Sequence, residues 1–128
     1  MKLLPSQFKV NEAWILFQLS REPVATEHDG PAICFGLMDA ASCFMLSGNF
    51  FSGTDGKALS KSNVQELLRK GWERKKEYPE KLFVVKELLT AEIEAQIQEQ
   101  GINANSVNES ELKSIIGEAQ QEFRKRFG

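Results

Sequence analysis

A chain of 128 residues that is 41% hydrophobic suits one domain, able to bury roughly two thirds of the surface its unfolded form exposes. Its 16 basic and 18 acidic residues leave a net charge of −2, so there is no general electrostatic case for nucleic acid or anionic membrane as a partner. The opening MKLLPSQF has too short an apolar run for a secretory signal, and no stretch is long enough to span a bilayer. A soluble, cytoplasmic, single-domain protein over residues 1–128 is expected.

Residues 1–12 are mixed in character and read as irregular or as a short edge element. The aromatic and β-branched run AWILFQL at 13–19 reads as the first strand. Two prolines, a glycine and the sole histidine make 22–31 a loop. His28 stands between Glu27 and Asp29, yet no Cys or second His lies near in sequence to complete a metal set, and a solvated surface histidine is the simpler reading.

The stretch AICFGLMDAASCFMLSGNFF at 32–51 is the densest apolar run, and it predicts a hairpin of strands 33–38 and 43–47 around Asp39-Ala40-Ala41-Ser42. With Asp39 facing Ser42, Leu37 pairs with Phe44 and Phe35 with Leu46 on one face, and Met38 with Cys43 and Gly36 with Met45 on the other. Neither face is polar, which predicts a central pair covered on both sides, with ordinary core a simpler reading than a ligand pocket. Cys34 and Cys43 would then lie about 13 Å apart, beyond disulfide reach, as two buried, reduced thiols.

The segment SGTDGK at 52–57 is a turn region rich in Gly and Asp. It lacks the glycine spacing of a phosphate loop, with Ala58 after the lysine, and it lacks the alternating oxygen donors and closing glutamate of a calcium loop. Ser62, with Gln65 three residues on, forms a capping box for a helix whose inner face would carry Val64, Leu67, Leu68 and Trp72. The run 61–82 holds seven basic and four acidic residues, so Arg69, Lys70, Arg74 and Lys76, near Trp72 and Tyr78, are candidate contacts for single-stranded nucleic acid. The i,i+4 spacing of Glu66 to Lys70 and Arg69 to Glu73 makes a solvated face the simpler reading.

Pro79 ends that helix, and LFVVK at 82–86 reads as a short buried strand. Thr90 caps the next helix, with Ile93 and Ile97 inward and Gly101 just past its end. Residues 102–107 are polar enough for a strand near an edge. Asn108 or Ser110 caps a last helix with Leu112, Ile115, Ile116, Ala119 and Phe123 on one stripe, and Arg124-Lys125-Arg126 suits the negative end of its dipole. Eight acidic residues and a single lysine, Lys113, between 87 and 122 give this half an acidic surface.

The order is strand, strand, strand, helix, strand, helix, strand, helix, an α/β arrangement that resembles the ribonuclease H-like fold, a mixed sheet with a central antiparallel hairpin followed by alternating helices and strands. ICFGLMDAASCFMLSGNF is similar to the second and third strands of integrase and transposase cores, where an Asp and a Ser also sit at the turn. The agreement covers roughly residues 13–126. PEKLFVVKELLTAEIEAQIQEQGINANSV also resembles uncharacterised bacterial domains with the same alternation, a resemblance that implies no activity.

In that fold, the resemblance implies carboxylates converging on two divalent metals from the first strand, from the end of the fourth and from the last helix. Here the first strand offers Phe17 and Gln18 where the family has Asp. Glu87 follows the fourth strand, and Glu118 or Glu122 comes from the last helix, so these three are the catalytic candidates. Asp39, Glu87 and Glu122 are the metal candidates, although Asp39 more simply serves its own turn. The expectation is therefore a non-catalytic interaction or accessory module without a cofactor, its partner another protein or a second copy meeting an exposed sheet edge or hairpin face. The alternative is a nuclease or phosphoryl-transfer enzyme using Mg or Mn, and single-stranded nucleic-acid binding ranks below both.

Overall fold

The computed structural model describes residues 2–20, 24–26, 30–52 and 59–127. They form β1 (Ala13–Gln18), β2 (Val24–Thr26), β3 (Gly30–Asp39), β4 (Met45–Ser52), α1 (Lys61–Lys75), β5 (Lys81–Val85), α2 (Ala91–Glu99), β6 (Asn103–Val107) and α3 (Glu109–Phe127). Single 3-10 turns stand at Pro5–Gln7 and Lys86–Leu88. His28 and the turn at 53–57 lie outside the described residues.

All strands belong to one mixed sheet. β3 pairs antiparallel with β1, β2 and β4, while β5 runs parallel to β1 and β6 parallel to β5. Ala32 pairs with both Val24 and Ser52, and residues 35–38 pair with both β1 and β4, so the short β2 shares the β3 edge that β1 uses. Across the sheet the order is then β4, β3, β1, β5, β6. The connections to the two parallel strands pass through α1 and α2, as parallel pairing requires.

β3 is buried from Ala32 to Asp39, as expected of a strand covered on both faces. On the side of Trp14, Leu16 and Leu37 lies α1, and a Cβ added to its Gly71 would come within 2.9 Å of both the Leu37 side chain and the Trp14 ring. That close approach is why a glycine, and not a larger residue, stands on the inner stripe with Val64, Leu67 and Leu68. The other side, with Ile15, Phe17 and Met38, receives α3, whose Leu112, Ile115 and Ile116 are buried. Phe50 of β4 meets Phe123 of α3 at 5.9 Å between ring centroids. Phe8 of the N-terminal segment packs edge-on against Phe83 at 5.6 Å, so residues before β1 belong to the core covering. Each large side chain removed from water here contributes roughly 1.5–3 kcal/mol.

Several expectations need correcting. The hairpin register differs by three: Leu37 faces Ser47, Gly36 faces Gly48 and Phe35 faces Asn49, with a bulge between Leu37 and Met38. The cause is a longer connection, in which Asp39 N bonds to Phe44 O and Cys43 adopts φ 58°, delaying β4 until Met45. Of the two hairpin strands only β3 lies inside the sheet; β4 pairs on one side and exposes Phe44, Gly48 and Phe50 in and near the strand. Cys43 is accordingly exposed, whereas Cys34 is buried, and both are free.

Ser60, not Ser62, caps α1, its hydroxyl accepting from Asn63 N at 3.3 Å. Trp72 is 40% exposed and lies off the buried stripe, which runs through Gly71 instead. The expected loop at 22–31 contains β2 and the start of β3. Thr90 does cap α2, through Ile93 N at 3.2 Å, and Gly101 follows with φ 76°. β6 is the edge strand beyond β5, and α3 begins at Glu109, which puts Asn108 at its N-cap position.

Candidate functional site

Because β1 and β5 are parallel, their C-terminal ends share one corner of the sheet: Leu16 is level with Val84, and Gln18 therefore with Lys86. Glu87 lies exposed in the turn just beyond, and α3 reaches the same corner through Gln120. Gln120 is buried, and its Nε2 donates to Gln18 O at 3.0 Å and to Glu109 Oε1 at 2.8 Å. Its Oε1 accepts from Lys113 Nζ at 3.2 Å, and Lys113 also pairs with Glu109 at 3.7 Å. Gln18 turns its own amide onto Ser20 O at 2.6 Å. A strand end, an amide, an ammonium and one carboxylate thus close on one another.

Asp39 occupies the other end of β1, opposite Trp14. Gln18 is four steps along the strand from Trp14, about 13 Å at strand rise. The carboxylate is fully buried, with Oδ1 accepting from Asn11 N at 2.7 Å and Oδ2 from Ser42 N at 2.9 Å and Ser42 Oγ at 2.6 Å. Asn11, at φ 67°, accepts in turn from Trp14 Nε1 at 2.7 Å. Asp39 therefore ties the entry of β1 to the hairpin turn, the local backbone role a short acidic side chain fills well.

Glu118 and Glu122 are exposed on α3. With Cys43, Leu19, Met38, Met45 and Phe123 they line a groove of about 580 Å³ between that helix and the hairpin. Glu122 pairs with Lys125 at 3.5 Å. The Cys43 thiol is pushed up by desolvation and then by the charges of Asp39 and Glu118, so it is a poor nucleophile despite its exposure. Burial raises Cys34 to about 11, against the opposing effect of a hydrogen bond from the Asn49 backbone. Among the described residues no three His, Cys, Asp or Glu side chains come together as a metal-holding group. Asp39, Glu87 and Glu122 are therefore not brought together as one metal-holding group.

On α1, Arg69 bonds to Glu73 at 2.5 Å and Lys70 lies 3.6 Å from Glu66, the two i,i+4 pairs anticipated from the spacing. Lys76 sits over the Trp72 ring at 5.2 Å, and Arg74 and Lys75 each stand 5.8 Å from the Phe44 ring centroid. Sequence reasoning missed Gln120, Lys113 and Asn11. The signal for Gln120 was present: it lies four residues after Ile116 on the apolar stripe, where a polar residue needs partners.

No protein-family model and no curated protein matches the chain. Among solved structures, it is similar to a chain in the cryo-EM structure of the simian T-cell lymphotropic virus intasome in complex with PP2A regulatory subunit B56 gamma. The TM-score is 0.54 at 12% identity, over 95% of this chain and 44% of that one. The fold is an α/β mixed sheet flanked by helices, consistent with a ribonuclease H-like arrangement. The chain spans less than half the length of this neighbour, and the likeness is one of fold alone. No helix among the described residues is long and apolar enough to cross a membrane.

Proposed function

We propose that this chain is a non-catalytic interaction or accessory module, in which the corner where ribonuclease H-like enzymes gather carboxylates serves as a structural joint. The observation that carries the reading is Gln120, whose buried amide is bonded to the Gln18 carbonyl, Glu109 and Lys113. Hard divalent cations take carboxylate and water oxygens. Two glutamines and a lysine do not fit that role, because the amide's acceptor oxygen is already engaged and the ammonium repels a cation. Glu109 alone brings a carboxylate into this network. The separation of Asp39 from the corner supports the same reading, and so does the exposure of Glu87, Glu118 and Glu122. The pairing of Arg69 and Lys70 with neighbouring glutamates partly offsets two of the four cations that nucleic-acid binding would use. Two free cysteines suit a reducing compartment such as the cytoplasm.

Incubation of the purified protein with labelled single- and double-stranded DNA and RNA, in Mg or Mn, tests the proposal. No cleavage above a heat-inactivated control is expected. Cleavage that disappears in Glu87→Ala and Glu122→Ala variants of unchanged circular dichroism would replace it with the nuclease reading.

A further inference from the structure

The sheet ends at β4, and the outer side of that strand has the features of a docking edge. Cys34 O accepts from Leu19 N on the β1 side, so the alternate residues Phe35 and Leu37 turn their backbone groups toward β4. Their partners Asn49 and Ser47 then point inward, and Gly48 and Phe50 point outward. Phe50 N is taken by the Asn49 side chain at 3.0 Å, which closes the far half of the edge. Gly48 is exposed, and among the described residues no strand pairs with the outer side of β4, where its N–H and C=O point. β4 (MLSGNFFS) carries neither a charge nor a proline, the usual guards of an edge strand.

Beside this edge is a groove of about 560 Å³ between Leu46-Ser47-Gly48 and the α1 residues Lys70, Glu73 and Arg74. Nearby stands Phe44, 50% exposed, with Arg74 of that groove and Lys75 against its ring. Glu73 is occupied by Arg69, and neither Arg74 nor Lys75 pairs with a carboxylate among the described residues. The rim is therefore positive on a chain whose net charge is −2. An open strand edge, an apolar ring nearby and unneutralised cations alongside complement one kind of ligand.

We infer that β4 accepts an extended acidic peptide as an added strand, pairing with the outward groups of Gly48 and setting its carboxylates against Arg74 and Lys75. This rests on the interaction-module reading and names the surface and the class of partner. Strand addition gives affinity through main-chain bonds, and the cations select the sign of the side chains. A single-stranded nucleic acid would use the cations and the Phe44 face but would have no use for a free backbone edge.

The test is fluorescence anisotropy of the full chain with a labelled octapeptide of alternating valine and glutamate. A valine-lysine octapeptide and a labelled oligo-dT serve as controls. Saturable binding of the acidic peptide alone is expected, weakened at least tenfold by Arg74→Glu with Lys75→Glu, and equally by Gly48→Pro. The proline removes an outward N–H and obstructs the edge. Gly48 has room for a Cβ, the nearest atom being Phe35 O at 3.6 Å, and proline is tolerated on the free side of an edge strand. Thermal melts verify that each variant is folded. Oligo-dT binding insensitive to Gly48→Pro would overturn the inference in favour of nucleic acid. Concentration-dependent dimerisation abolished by Gly48→Pro would overturn it in favour of a second copy. Absence of acidic-peptide binding by folded parent protein would also overturn it, while leaving the cleavage test of the module reading unaffected.

Discussion

The two ends of β1 each hold a buried polar residue, and they use it differently. At the Trp14 end, Asp39 only accepts, and three donors from two loops converge on it. At the Gln18 end, Gln120 both donates and accepts, so one side chain can join a strand carbonyl, a glutamate and a lysine. A carboxylate suits a site crowded with N–H groups, and an amide suits a site that mixes carbonyl with ammonium. A metal corner needs acceptor oxygens with lone pairs to spare. The chain's one buried carboxylate among the described residues is at the wrong end and fully engaged.

Asp39→Ala should have the largest effect. It strands the Asn11 and Ser42 donors together, and should cost about 3–4 kcal/mol in urea unfolding, since bonds to a charged group are worth about 1.5–3 kcal/mol each before relaxation and water entry. A loss under about 1 kcal/mol would mean that the turn holds without its carboxylate.

Alkaline stability probes how dry the Gln18 end is, because Cys34 bonds there through its backbone to Leu19 and Ser20. Its thiol titrates near 11 in the folded chain against a reference of 9.0. The unfolded chain thus releases this proton first, so the contribution is complete below about pH 9 and is lost as pH rises through about 11. Denaturation across that window should show the parent losing up to about 2–3 kcal/mol more than Cys34→Ala. Equal losses would mean that water reaches the thiol.

Gln120→Leu should have a smaller effect. It keeps the stripe apolar but leaves Gln18 O and Lys113 to find water, for an expected loss of about 1–2 kcal/mol by chemical denaturation. Smallest of all is Arg69→Ala, which should change stability by less than about 0.5 kcal/mol, because the Arg69–Glu73 pair is more than half exposed on both sides.

Much of the fold is legible in the sequence because period and caps are local signals. The apolar run at β1, the stripe of α3, the Thr90 cap and the Gly101 stop all stand where they are expected. The hairpin register is not legible, since apolar residues on both faces let several offsets bury equal area, and the deciding feature is a left-handed Cys43 that no residue type announces. Trp72 misleads for a related reason: helical spacing admits it to the inner face, but the Trp14 ring already fills that layer and leaves room only for Gly71. The candidate site is half legible. The replacement of Asp by Phe17 or Gln18 can be read directly, while the partners that make Gln120 a joint lie 102, 11 and 7 residues away.

Calorimetric titration of the purified protein with Mn and Mg, paired with thermal unfolding, distinguishes a joint at the Gln18 corner from a metal site. A metal bound only by the folded state must raise its stability. A joint gives no saturable heat and no rise in melting temperature beyond that of a matched salt. Saturable micromolar binding that vanishes in Glu87→Gln would contradict it.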